Sequence, residues 1–157
     1  MKTAVIFFSY DGNSAFAAQQ IKTRLNADLV QLYLKDEKKR GKIASIFWGG
    51  AMSVSGKKPP LKPYKFDPSA YDLLILGAPV WAGSPAPPIK TFLAQASITG
   101  KKLALFVCHG GGAGKSLEKF KALLPGNEIV STADFVVPLR NKEEMQQKIA
   151  EWAGKIV

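Results

Sequence analysis

Five short apolar runs, each followed by a stretch of helical character, constrain this chain more than any other feature. The runs are Thr3–Phe8, Ala27–Leu34, Asp72–Gly77, Lys102–Cys108, and a last one within Glu128–Pro138 centred on Phe135–Val137. Leu73 to Leu76 are apolar without a break, as a strand covered on both faces requires. Ala17, Ala18, Ile21 and Leu25 recur at helical spacing and predict a helix from Ser14 to about Leu25. Pro88 opens a helix with Ile89, Phe92, Leu93 and Ala96 inward. Ser116 is expected to cap the next, with Leu117, Phe120, Leu123 and Leu124 inward. Asn141, with Glu144 three residues on, starts the last, whose core face is Met145, Ile149, Trp152, Ala153 and Ile156. Between the second and third runs the pattern is less regular. Ile43, Ile46, Phe47 and Met52 suit a short helix broken at Gly49-Gly50, and Pro59, Pro60 and Pro63 force an extended path. Strands alternating with helices imply an α/β fold: a doubly wound, five-stranded parallel sheet between two helical layers, with right-handed crossovers. The 157 residues hold no internal repeat or linker and suit one domain over residues 1–157.

In such sheets ligands bind beyond the carboxyl ends of the strands. Three loops of special composition follow three of the strands and are expected to meet there. The first is Ser9-Tyr-Asp-Gly-Asn-Ser14, with hydroxyls at Ser9, Tyr10 and Ser14 and no Lys or Arg. A strand end running into a helix start presents unpaired N–H groups to an anion. This loop therefore reads either as an ordinary turn with a cap or as a phosphate site built from neutral donors. The second, Ala78–Pro87, places Trp81 among prolines and small residues. Trp81 either stacks on a flat ligand or packs beneath its own loop. The third, His109–Gly114, has three consecutive glycines, which let backbone amides approach a planar edge. Together they suit a flat cofactor that carries a phosphate. Gly110–Ser116 has the look of a nucleotide-binding loop, but the required glycine is replaced by His109.

Composition narrows the chemistry. Cys108 is the only cysteine and His109 the only histidine, which leaves no internal disulfide and few ligands for zinc. No run is long and apolar enough to span a bilayer, and the N-terminus lacks a signal-peptide pattern, so a cytoplasmic location is expected. The net charge is +10. Between Lys35 and Lys65 eight lysines and Arg40 stand against Asp36 and Glu37. That stretch is either a solvated connection or a docking surface for an acidic partner, an anionic membrane or nucleic acid. It lacks the stacking aromatics or reader motif that nucleic acid would demand.

The three loops, in this order, resemble those of the flavodoxin family. Ser9–Ser14 is similar to the family's phosphate loop, S/T-x-T-G-N-T. Gly77-Ala-Pro-Val-Trp-Ala-Gly83 looks like its first flavin-ring loop, and Cys108-His-Gly-Gly-Gly112 stands where the second belongs. The resemblance covers essentially the whole chain and implies strand order 2-1-3-4-5. It implies FMN as cofactor. Ser9, Tyr10, Asp11, Gly12, Asn13 and Ser14 would hold the phosphate, and Trp81 would stack on one ring face. Pro79, Val80, Ala82 and Gly83 would line that face, and Cys108, His109, Gly110, Gly111 and Gly112 the other edge. It further implies an electron carrier with no catalytic residue that serves a redox partner, and the net charge of +10 suits a partner with an acidic docking face. An FMN-dependent reductase of quinones or other flat acceptors is the alternative. A third reading is a binding module that keeps the fold without flavin and works through its basic segment. The chain departs from the family in three ways. Asp11 stands where Thr is preferred, no Tyr or Trp follows Cys108 in the second ring loop, and the protein is basic where typical members are acidic.

Overall fold

The computed structural model describes residues 1–36 and 42–157. The strands are β1 (Thr3–Phe8), β2 (Asp28–Leu32), β3 (Leu73–Trp81), β4 (Ser84–Pro85), β5 (Lys102–His109) and β6 (Glu128–Val136). Five of them run parallel in the order β2-β1-β3-β5-β6, while the two-residue β4 pairs antiparallel with β3 alone. This is the expected order 2-1-3-4-5 once the added strand is set aside. Thr3–Phe8 of β1 and the Leu73–Pro79 part of β3 are buried throughout, because helices cover both faces of the sheet centre. The helices are α1 (Asn13–Leu25), α2 (Lys42–Val54), α3 (Pro87–Ala96), α4 (Ser116–Ala122) and α5 (Lys142–Gly154).

The pleat divides the core into two layers. Ile6, Phe8, Leu74, Leu76 and Phe92 share one with Phe120. Val5, Phe7, Ile75 and Phe106 share the other with Ile21 and Ile149. Alternate residues of the central strands serve opposite faces, which is the period-2 rule applied where neither face meets solvent. Asn141 caps α5 as expected: its Oδ1 accepts from the Glu144 N–H at 3.5 Å, and its amide donates to Glu144 Oε2 at 2.7 Å.

Several local expectations are corrected. β3 does not stop at Gly77 but runs to Trp81, so the supposed irregular loop begins as strand. It reverses at Ala82 (φ 48°) and Gly83 (φ 70°), and Trp81 pairs with Ser84 across this two-residue turn. Two positive φ values in a two-residue hairpin loop define a type I′ turn. Ala82 is strained there, so Ala82→Asn should stabilise the fold by about 0.5–1 kcal/mol in urea unfolding. Helix α2 runs unbroken through Gly49-Gly50. A Cβ on Gly49 would come within 3.2 Å of the Trp81 ring, so this glycine lets the helix lie against that ring. Ser116 is the first residue of α4 rather than its cap, and its buried hydroxyl has no partner among the described residues. Leu123 lies beyond α4 and is exposed, because the helix ends one residue earlier. Lys38, Lys39 and Arg40 of the basic stretch, and the side chains of Lys42, Ile43, Ile46 and Phe47, lie outside the described residues.

Candidate functional site

The loops after β1, β3 and β5 meet at the carboxyl edge of the sheet. The chain leaves β1 toward β2 on one side and returns to β3 on the other, so a crevice opens at this reversal. A cleft of about 150 Å³ lies there, lined by Asp11, Asn13, Trp81, Cys108, His109 and Val137, with Pro79, Val80 and Gly110.

The first loop has donors that could hold an anion. Gly12 adopts φ 95° at the helix start, a conformation that side chains resist. Ser9 Oγ accepts from the Ala15 N–H at 3.1 Å and thereby ties the loop to the first turn of α1. Asn13 Oδ1 accepts from the Leu139 N–H at 3.0 Å, which fastens the loop to the chain beyond β6. Among the described residues, the N–H groups of Tyr10, Gly12 and Ser14 meet no protein acceptor. Ser14 Oγ is buried and makes no well-formed hydrogen bond, though it stands close enough to the Cys108 thiol to act on that group. An unpartnered buried hydroxyl is costly unless a ligand supplies its acceptor. These donors fit a phosphate oxygen at the helix start. Ser14→Ala should therefore leave the ligand-free protein as stable or slightly more stable. It should weaken binding of a phosphorylated ligand by about 1–2 kcal/mol, as read by titration calorimetry.

Asp11 works against these donors. Its Oδ1 accepts from the Asn13 N–H at 3.1 Å, so a carboxylate takes one of the loop amides. Asp11 also helps to hold the Cys108 thiol protonated. Burial is the larger cause, and together they push that thiol up to about 12, with the Ser14 hydroxyl opposing. Cys108 is thus an inert wall rather than a nucleophile.

Trp81 is half-buried and forms the hub of an aromatic cluster. Its ring meets Phe8 at 5.6 Å, Tyr10 at 5.6 Å and Trp48 at 5.5 Å, all near edge-to-face. It thus neither hangs free nor hides beneath its own loop: neighbours hold its edges while it borders the cleft. Ala82 and Gly83 occupy the turn beyond it, and Ala82 is exposed. In the third loop, His109 accepts from the Gly112 N–H at Nδ1 (2.9 Å), and Nε2 lies 2.7 Å from Asp134 Oδ2. A ring nitrogen that accepts carries no proton, so Nε2–H donates to Asp134. Asp134 on β6 thereby orients His109, and His109 holds the glycine loop. Gly111 and Gly112 have no atoms within 4 Å of where a Cβ would stand, whereas a Cβ on Gly110 would meet Val137 Cγ2 at 3.7 Å.

Sequence reasoning missed the chain after β6. Val137 lines the cleft at φ 37°, an unusual value for a β-branched residue, held by its N–H to the His109 carbonyl at 2.9 Å. Leu139 Cδ1 would stand 3.2 Å from a Cβ on Gly12. The available signal was that the last strand ends at the same edge as the others.

The flavodoxin family model matches residues 2–156. The chain belongs to the flavodoxin family. Its fold is similar to that of a Lactobacillus acidophilus flavoprotein solved in complex with FMN, with TM-score 0.75 and 23% identity over 90% of this chain and 97% of that one. It also resembles oxidised flavodoxin 2 of Bacillus cereus, with TM-score 0.64 and 20% identity over 99% and 97% of the two chains. Two-electron reduced flavodoxin of Megasphaera elsdenii follows at TM-score 0.57 and 17% identity, over 98% of each chain. At these identities the likeness is one of fold. Among curated proteins none matches this sequence. In this flavodoxin-family chain no helix among the described residues is long and apolar enough to cross a membrane.

Proposed function

We propose that this flavodoxin-family protein binds FMN and carries electrons between redox partners. The observation that carries this reading is the buried Ser14 hydroxyl, which makes no well-formed hydrogen bond, set among open amides, with Trp81 bordering the same cleft. Bound FMN supplies the one- or two-electron chemistry, and the protein supplies binding, orientation and electrostatics. In this reading the Ser9–Ser14 loop grips the phosphate. Trp81, fixed by its aromatic neighbours, offers a plate for one ring face. His109 and Asp134 hold Gly110 to Gly112 along the ring edge.

The test is a visible absorption and fluorescence titration with FMN. A perturbed flavin spectrum with quenched fluorescence supports the proposal, and free-flavin spectra throughout would sink it. Asp11→Asn should tighten FMN by about tenfold at low salt, and by less at high salt, because it removes a charge facing the phosphate. Equal affinities would show that Asp11 turns away from the phosphate.

One observation favours the reductase alternative: the space beside Gly111 and Gly112 is open, which leaves room for a flat acceptor such as a quinone. Steady NADH or NADPH oxidation with a quinone, by this protein alone, would select the enzyme. Its absence leaves the carrier, for which the charge of +10 favours a redox partner with an acidic face.

A further inference from the structure

A cavity larger than the cleft at the three loops lies on the far side of the aromatic cluster. It measures about 430 Å³. Its walls are apolar: Leu34, Trp48 and Met52 face Pro59 and Pro60. Its rim is charged, with Lys57, Lys58 and Asp36 all exposed. The size is that of a small-molecule site.

The proline wall is tied down. The Pro60 carbonyl accepts from the Lys35 N–H at 2.9 Å, and the Tyr33 carbonyl from the Lys62 N–H at 2.8 Å. Leu34 and Leu61 form an antiparallel bridge between these bonds. On the inner side, Thr91 Oγ1 donates to the Pro59 carbonyl at 2.7 Å. The carbonyls of both prolines are thus already engaged, and the wall shows a ligand mainly flat hydrocarbon. Opposite it, Trp48 is shared: its ring packs on Trp81 at 5.5 Å, and Trp81 borders the cleft. One pair of indoles separates the two spaces.

We propose that this cavity is a second ligand site, which takes a flat aromatic anion of the quinone type. An indole, a thioether and two prolines suit the face of a planar ring. Among the described residues of the rim, two ammonium groups against one carboxylate favour a single negative substituent at the mouth. The cavity is placed to seat a small electron acceptor one indole pair from the flavin. That role rests on the proposed function, whereas the binding itself does not.

The probe is anthraquinone-2-sulfonate, titrated against the full chain with and without saturating FMN and followed by tryptophan fluorescence and calorimetry. Binding should persist with FMN present. The double variant K57Q/K58Q, on the surface and harmless to folding, should weaken it by up to about tenfold. Uncharged 2-(hydroxymethyl)anthraquinone should not respond to that change. Met52→Trp, which fills the space, should weaken both compounds at least about tenfold. Probe binding in a protein that fails to bind FMN would support the cavity and sink the flavin reading alone. Displacement of the probe by FMN, absence of binding, or wild-type affinity in both K57Q/K58Q and Met52→Trp would overturn the second site.

Discussion

Gly77→Ala is expected to destabilise the protein by about 3 kcal/mol or more, the upper end for overpacking a core. Gly77 lies in the central strand β3, in register with Phe106 on β5 and with Phe7 on β1. A Cβ there would stand 2.0 Å from Phe106 Cζ and 2.2 Å from Cε1. The ring has nowhere to go. Phe106 is fully buried, and its ring packs against Phe135 at 6.2 Å and Trp152 at 6.4 Å. The strand cannot shift either, because it is hydrogen-bonded on both sides. Urea unfolding measures the loss. Phe106→Leu, mild by comparison, should restore part of it in the double variant, since the clash is with the ring. A loss below about 0.5 kcal/mol would mean that Phe106 does not lie over Gly77.

Trp81→Ala should weaken FMN binding by about 1–3 kcal/mol, the scale of one aromatic stack. It should also lower stability by about 3 kcal/mol, because the ring sits among Phe8, Tyr10 and Trp48. The two effects separate in Trp81→Phe, which keeps an aromatic face but loses part of the packing. Wild-type FMN affinity in Trp81→Ala, with a lowered unfolding midpoint, would make Trp81 a packing residue only. The same variant bears on the outer cavity, since Trp48 would lose its support.

The alternation of apolar runs and helical stripes determined, from the sequence alone, a parallel sheet with both faces covered, and hence which edge carries the loops. The loop residues themselves were legible because their signals are local. A glycine at a helix start, hydroxyls without basic residues and a tryptophan between prolines all fall within a few positions of one another. What tertiary structure alone decided depends on residues far apart in the chain. Gly49 reads as a helix breaker until Trp81 is found against it. Ala82 gives no turn signal, because its positive φ is imposed by the pairing of Trp81 with Ser84. Asp134 reads as one polar residue of a strand until β6 sets it beside His109. Val137 reaches the cleft through its bond to His109, and Leu139 reaches the first loop through its bond to Asn13, 126 residues away in the chain. Local propensity specifies the elements, and only their packing brings such distant partners within a few ångströms.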